Sequence, residues 1–455
     1  MSAVIQHITR FGGAEIEQER YETALIPDEK RQEMSVINLY PEKEYQEIEG
    51  FGGALTESSG YALAQMSEEK RKKIVGLYYG PDGIGYTIGR VHMDSCDFSV
   101  GNYCAVEKPD DPSFPDFSLE RDAKYVQPLL RMAAEAAGKP VPLLLSPWSP
   151  PAFMKDTGVR NGGGHLKKDQ YALYAKYIAK YITEYRKLGF DIACMTIQNE
   201  PLAVQTWDSC EFSPEEEKEL LCDYLCPALQ EAGLGDVGIY IWDHNKERVY
   251  ERTRDIVDDK TAHMVEGCAF HWYTGDHFDT LQMVKEDYPD LKLIHSEGCV
   301  ELLRKDVNYG NEREQALRYA HDMIGDLNAG MNRWYDWNIV LDEKGGPNHV
   351  GNFCDAPIMY DASTGALNVR RPFYYLGHFS RFIQPGAQRF LTSRYRPELE
   401  TTGFANPDGT HVLVVLNRSD DNLDFDLTIG PHENALTAEA ARLDAPAHSI
   451  QTICL

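Results

Sequence analysis

The chain predicts a (β/α)8 barrel carrying a small β-sandwich, and three observations lead there. Eight strand-like runs alternate with helix-like segments over roughly the first 340 residues, the pattern of a parallel sheet with crossover helices. Beyond about Phe379 the pattern changes to strands alone. The 455 residues also exceed what a barrel of the usual ~250 residues needs, which leaves room for a second domain.

The strand-like runs lie at about Ile48–Leu55, Tyr86–Met93, Val141–Trp148, Ala193–Asn199, Gly238–His244, Cys268–Tyr273, Leu291–Glu297 and Gly330–Val340. Several lack a two-residue alternation, as strands buried on both faces do. Between them, Ser67 and the acidic residues after it open a helix running to about Tyr79. Tyr171, Tyr174, Ala175, Ile178, Ile182 and Tyr185 recur at helical spacing, and Gly189 is the stop. Ser213-Pro214-Glu215-Glu216 combines a capping serine, a proline in the first helical position and a glutamate three residues after the cap. A doubly wound open sheet is the competing arrangement. However, the glycine-rich stretch Gly83–Gly89 (GIGYTIG) misses the dinucleotide-binding spacing.

After Phe379, His411–Asn417 reads as a strand and Leu423, Phe425, Leu427 and Ile429 alternate with polar residues, with a last strand at Ser449–Leu455. Residues 1–45 carry further strand-like pieces such as Val36–Leu39. Isolated strands are not stable in water, so these pieces are expected to pair with the sandwich. The division expected from the sequence is therefore N-terminal strands over 1–45, the barrel over 46–378 and the sandwich over 379–455.

Charge narrows the function. The chain holds 45 Lys and Arg against 72 Asp and Glu, a net charge of −27. Such a surface repels phosphate backbones and anionic lipid, so no nucleic-acid partner and no stable membrane anchor are expected. No run approaches the roughly 18–20 apolar residues of a membrane span. The opening MSAVIQHITRFGGAEIEQER lacks the basic and apolar regions of a secretory signal, so the expected location is cytoplasmic. Ten cysteines are scattered without a C-x-x-C pair, which fits reduced, mostly buried thiols. No metal-ligand spacing, G-x-S-x-G, H-E-x-x-H or Walker A signature occurs. Neither a metal nor a cofactor is expected.

Catalytic groups of barrel enzymes sit at the C-terminal ends of the strands. That rule selects Glu200 in Thr196–Pro201 (TIQNEP), ending the fourth run, and Glu297 in Ile294–Cys299 (IHSEGC), ending the seventh. A lone strand-end glutamate is more often an ion-pair residue, but two on facing strands match the carboxylate pair of a glycosidase. One would attack the anomeric carbon while the other, held protonated, donates to the leaving oxygen. Stacking of sugar C–H faces on indole favours a carbohydrate site, and all six tryptophans fall at or near the strand ends: Trp148, Trp207, Trp242, Trp272, Trp334 and Trp337. His271 and Tyr273 lie two apart, with Tyr273 placed to donate to the nucleophile and His271 to a sugar hydroxyl. Asn199 is placed for the sugar 2-OH.

With these residues in hand, the chain resembles glycoside hydrolase family 30, and within it the glucosylceramidase branch. The matching stretches are Gly50–Ser58 (GFGGALTES), Ile84–Ser99 (IGYTIGRVHMDSCDFS), Leu143–Lys155 (LLLSPWSPPAFMK), Thr196–Pro201, Phe270–Asp276 (FHWYTGD), His295–Cys299, Trp334–Phe353 (WYDWNIVLDEKGGPNHVGNF), Phe373–Ile383 and Val412–Ser419. The resemblance implies a barrel with an attached β-sandwich and a retaining, double-displacement mechanism. It implies Glu200 as acid/base, Glu297 as nucleophile, and Trp148, Asn199, Tyr273, Trp337 and Asn348 around the glycone. One departure concerns sugar identity. The family's glucosylceramidases carry Asp after G-F-G-G-A-M-T, and here Glu57 stands there, expected to contact glycone hydroxyls with one more methylene. The expected activity is hydrolysis of a terminal β-D-glucosidic bond. A β-xylosidase or other β-glycosidase with the same machinery is the rival, and a carbohydrate-binding protein without turnover is the rival outside enzymology. The oligomeric state is left open.

Overall fold

Eight strands of the computed structural model close into a barrel in sequence order: Gly50–Ala54 (β1), Ile88–Met93 (β2), Pro142–Pro147 (β3), Asp191–Thr196 (β4), Gly238–Asn245 (β5), Gly267–His271 (β6), Lys292–Glu297 (β7) and Met331–Asp336 (β8). The structure describes residues 3–12, 15–28, 33–107, 113–303, 308–429 and 439–455. Neighbours from β1 through β7 pair in parallel. All six residues of β2 are buried, which is why its sequence shows no alternation. Ile88, Leu144, Cys194, Tyr240, Ala269, Ile294 and Tyr335 form one buried cluster drawn from seven strands, so the barrel interior is a packed core. Gly52 explains part of the G-F-G-G signature: a Cβ there would meet the carbonyl oxygen of Ile88 at 2.0 Å.

The helices follow their sequence signals. Glu68–Tyr79 is capped by Ser67, whose side chain accepts from the Lys70 amide. Tyr171–Lys187 buries the tyrosine face, and Gly189 follows at φ 87°. Ser213 and Glu216 form a reciprocal capping box, after which Pro214–Glu219 passes into a wide turn at Leu220–Leu225. The run Gly330–Val340 does not stay one strand. It ends at Asp336, Asn338 turns the chain at φ 65°, and Val340–Asp342 joins a separate sheet with Ile358–Tyr360 and Leu367–Val369.

The barrel, apart from Gly50, Met331 and Asn332, belongs to one compact unit, made of the described residues of Phe51–Asp306 and Arg333–Val369. A second unit gathers those of Met1–Gly50, Val307–Asn332 and Arg370–Leu455. Its ten-stranded sheet runs in the order Glu15–Ala24, Ala3–Gly12, Ser449–Cys454, His411–Asn417, Leu399–Ala405, Ala387–Arg394, Val36–Ile48, Leu423–Ile429, Glu439–Ala445, Ile26–Pro27. Ala3–Gly12 thus pairs with the C-terminal strand, and Val36–Ile48 with Ala387–Arg394. The core holds Val4, Leu39, Phe390, Leu413, Phe425, Leu427 and Ile453. The helix Arg371–Ser380 is tied to this sheet by His378, which bonds Thr452 at 2.9 Å and Thr9 at 2.8 Å. No helix among the described residues is long and apolar enough to cross a membrane.

Candidate active site

A cavity of about 510 Å³ opens at the C-terminal ends of the barrel strands, and both Glu200 and Glu297 line it. Glu297 is the last residue of β7. Glu200 lies four residues beyond β4, at φ 49°, in the left-handed region that costs a side-chain-bearing residue free energy. Asp94, Trp242, Asp243 and Asn338 share that conformation, so strained backbone concentrates at this end of the barrel. The peptide of Glu200 is held by its amide on the Asp243 carbonyl at 2.8 Å. One carboxylate oxygen of Glu200, one of Glu297 and a ring nitrogen of His271 lie within 4.8 Å of one another.

Arg90 in β2 organises the floor. Its Nε donates to Ser146 Oγ at 3.1 Å, Nη1 to the Ser296 carbonyl and Glu297 Oε2, both at 2.9 Å, and Nη2 to Asn199 Oδ1 at 3.0 Å and Asp243 Oδ2 at 2.8 Å. All five guanidinium donors are used. The guanidinium also lies 4.9 Å from the Trp148 ring centroid, and Trp148 stacks on Trp337 at 5.3 Å. Glu297 takes a second bond from the Tyr273 hydroxyl, 2.9 Å at Oε1. Asn245 Oδ1 holds the Tyr273 amide.

His271 bridges two carboxylates, with Nδ1 3.3 Å from Glu200 Oε1 and Nε2 3.0 Å from Asp243 Oδ1. Burial opposes its charge, but Glu297, Asp243 and Glu200 outweigh that and push the imidazole up to about 9. Burial likewise pushes Asp243 up, and Arg90 and His271 overcome it, holding the carboxyl well below the usual range. For Glu200, burial is offset by the His271 hydrogen bond and by the charges of His244 and His271, so it sits below its ordinary value. Glu297 sits above, because burial outweighs the pull of His271 and Arg90. These directions run opposite to the expected order of a high acid and a low nucleophile. The physical difference is the neighbour: His271 bonds Glu200 directly, whereas burial dominates at Glu297.

The site is not assembled as the sequence suggests in every position. Trp148, Asn199 and Tyr273 line the cavity with Trp337. His271 does not: fully buried, it stands behind Glu200, so it holds the carboxylate where a sugar-hydroxyl contact was expected. Glu57 is also absent from the lining. Its carboxylate is engaged by Arg121 Nε at 2.5 Å and Nη2 at 3.3 Å and by the Val100 amide at 2.8 Å. Besides Glu200 and Glu297, the acids in the cavity wall are Asp97 and Glu301, and burial and the Glu297 charge push Asp97 well above the usual carboxylate range. Asn348 likewise lies outside the lining and donates to Asp97 Oδ2 at 3.4 Å, while Asn352 of the same loop is in the lining and donates to the same oxygen at 3.2 Å. Of the six tryptophans, Trp148, Trp207 and Trp337 line the cavity. Trp242, Trp272 and Trp334 are core residues; Trp334 stacks on His295 at 3.6 Å.

The glycosyl hydrolase family 30 TIM-barrel model matches residues 48–383, and the family's β-sandwich model matches residues 386–453. The chain belongs to glycosyl hydrolase family 30. It is a glycoside hydrolase, and its substrate is a carbohydrate. Lysosomal acid glucosylceramidase of Mus musculus is 34% identical over 87% of this chain and 79% of that protein. The crystal structure of SrfJ from Salmonella typhimurium superposes with a TM-score of 0.91 at 36% identity, covering 99% of both chains. An endo-β1,6-glucanase structure gives a TM-score of 0.86 at 25% identity, covering 99% of this chain and 98% of that one.

Arg90, Asp97, Asp243 and Asn352 escape the sequence reading. A signal existed for two of them. Arg90 and Asp243 are charges inside strands otherwise fit for burial on both faces, and a buried charge requires partners. Asn352 carried none, since only the loop conformation separates it from Asn348.

Proposed function

We propose that the chain is a retaining, exo-acting β-glycosidase of glucosylceramidase type, cleaving a terminal β-D-glucosidic bond with Glu297 as nucleophile and Glu200 as acid/base. The observation carrying this reading is the approach of the two carboxylates, with oxygens within 4.8 Å. Inverting enzymes keep about 6.5–9.5 Å between carboxyl groups to seat a water, and retaining ones about 5–5.5 Å.

In this reading the glycone lies between the Trp148–Trp337 pair and Asp97, whose carboxyl meets sugar hydroxyls. Glu297, aligned by Arg90 and Tyr273, attacks the anomeric carbon. Glu200 gives the leaving oxygen the proton that it shares with His271. Once Glu297 is esterified its negative charge is gone, and Glu200 accepts a proton from the incoming water. Identity to the mouse glucosylceramidase supports glucose as the sugar. The endo-β1,6-glucanase likeness, at lower identity, supports a β-1,6-glucan as the second reading. Aryl β-D-glucoside and β-D-xyloside, compared by kcat/KM beside a β-1,6-glucan, separate the possibilities. An NMR time course of the first sugar released checks the mechanism, since appearance of the α-anomer first would overturn it.

A further inference from the structure

Two thiols face each other in the wall of the catalytic cavity. Cys299 lies two residues after Glu297, and Cys354 lines the cavity itself. Both belong to the buried cluster that includes Trp148 and Trp337, with Tyr273 packed against it. Their segments run side by side: Glu301 bridges Cys354 in antiparallel sense, the Leu302 amide meets the Phe353 carbonyl at 3.0 Å, and the Asp355 amide meets the Val300 carbonyl at 2.8 Å. The pairing of Glu301 with Cys354 sets Cys299 diagonally across from Cys354, and both side chains belong to the same buried cluster. Cys299 Sγ is also 3.5 Å from the Tyr273 hydroxyl, which donates to Glu297. Cys354 Sγ reaches the carbonyl of Asn352 at 3.9 Å, and Asn352 holds Asp97.

We propose that Cys299 and Cys354 are a modification site, an active-site dithiol that a small peroxide entering the cavity converts to a disulfide. Cys354 is the attacking thiol, because it lines the cavity through which the peroxide enters. Cys299 lies outside the cavity lining in the same buried cluster, so it serves as the resolving group. In the first step Cys354 sulfur attacks one peroxide oxygen, the O–O bond breaks, and a sulfenic acid and one water form. In the second, Cys299 sulfur attacks that sulfenic sulfur, the S–O bond breaks, and the S–S bond forms as a second water leaves. Hydrogen peroxide thus takes up the two electrons and two protons that the thiols lose. Closing the bond draws the 299 and 354 segments together, which shifts the partners of Tyr273 and Asn352. Oxidation is therefore expected to slow the hydrolysis assigned above, and that second effect rests on the proposed function.

The test uses the full chain treated with hydrogen peroxide and digested without reductant. The expected result is a Cys299–Cys354 linked peptide pair, about 2 Da lighter than the two reduced peptides together. It comes with a loss of at least about tenfold in aryl β-D-glucoside kcat/KM, regained with dithiothreitol. Cys354→Ser, each sample read against its own untreated rate, should lose the peroxide response. Cys299→Ser provides the second variant should that one fail to fold. Peroxide that oxidises other cysteines while leaving this pair unlinked overturns the site. A linked pair with an unchanged rate overturns its effect on turnover. A linked pair in a chain that hydrolyses no glycoside tested leaves the modification site established and refutes the proposed substrate instead.

Discussion

Arg90→Met is the sharpest perturbation of the reasoning behind the site. Arg90 is fully buried and spends five donors on five acceptors, two of them the carboxylates of Asp243 and Glu297. Methionine fills comparable length with no charge. Asp243 then keeps His271, Ser296 and Thr196 as partners, and Glu297 keeps Tyr273, so neither carboxylate is left bare. Removing one partner of a buried ion pair costs about 3–5 kcal/mol. At the lower end of ~2 °C per kcal/mol for large domains, the melting temperature should drop by about 6–10 °C at pH 7. The sign with pH follows from Asp243. Its native pKa is depressed, chiefly by Arg90 acting against burial, so its contribution is present above its unfolded pKa of 3.8 and is lost as pH falls through the native value. Without Arg90, Asp243 binds its proton more readily in the native state, so the deficit of the variant should narrow between pH 7 and pH 4. Adding Asp243→Asn to Arg90→Met should recover part of the loss, because it removes the uncompensated charge. Melts followed by circular dichroism, run on all three variants and the wild type, give the cycle. An equal deficit at both pH values, or a double variant less stable than the single by the full cost of Asp243→Asn alone, would falsify the charge argument.

Glu297→Gln should abolish turnover while the melting temperature stays near wild type; retention of more than about one-hundredth of kcat is incompatible with a covalent role. Glu200→Ala should depress kcat/KM more for glycosides with poor leaving groups than for activated aryl ones, so equal losses across leaving groups of different pKa count against it as the acid. Asp97→Asn should change the glucoside-to-xyloside ratio of kcat/KM, whereas Glu57→Gln should leave that ratio alone and lower stability, since Glu57 faces Arg121; the opposite pattern would restore Glu57 as the sugar reader. The proton on His271, held up to about 9 against an ordinary 6.5, should give the pH profile of kcat/KM an alkaline limb near 9. The same proton adds stability that is complete below 6.5 and lost as pH rises through about 9. A profile flat through pH 9.5 rules the shared proton out.

What the sequence made legible is what short-range pattern encodes. A strand run followed by Glu, as in TIQNEP and IHSEGC, marks both carboxylates because the chain itself carries them to the barrel rim. Ser67 and Ser213 announce their helices because a cap acts over three residues. Illegible were the partners that arrive from elsewhere in the chain. The carboxylate of Glu57 sits directly after β1, where a sugar contact was expected, yet Arg121, 64 residues onward, claims it. Asn348 and Asn352 differ in role by one loop turn, and no periodicity separates them. Strand-end placement of tryptophan failed as a guide for Trp242, Trp272 and Trp334, because an indole at the end of a barrel strand serves equally to pack the barrel.

The charge states are the hardest part to read from residue types, and the reason lies in where the contributions originate. Sequence motifs distinguish Glu200 from Glu297 by their neighbours along the chain, but those neighbours set little of either pKa. Arg90 acts from β2, Asp243 from β5 and His271 from β6, and each touches one catalytic carboxylate or both through space. The proton assigned to Glu200 is therefore a property of side chains from three other strands. In the proposed mechanism His271 carries it at Nδ1, Asp243 steadies the cation at Nε2, and Arg90 keeps Asp243 ionised so that it can do so. If this is how the barrel works, His271→Gln should damage the poor-leaving-group substrates that Glu200→Ala damages, and the two changes together should cost little more than either alone. Independent, additive losses would mean that His271 merely packs behind Glu200 and that the proton reaches the leaving oxygen by another route.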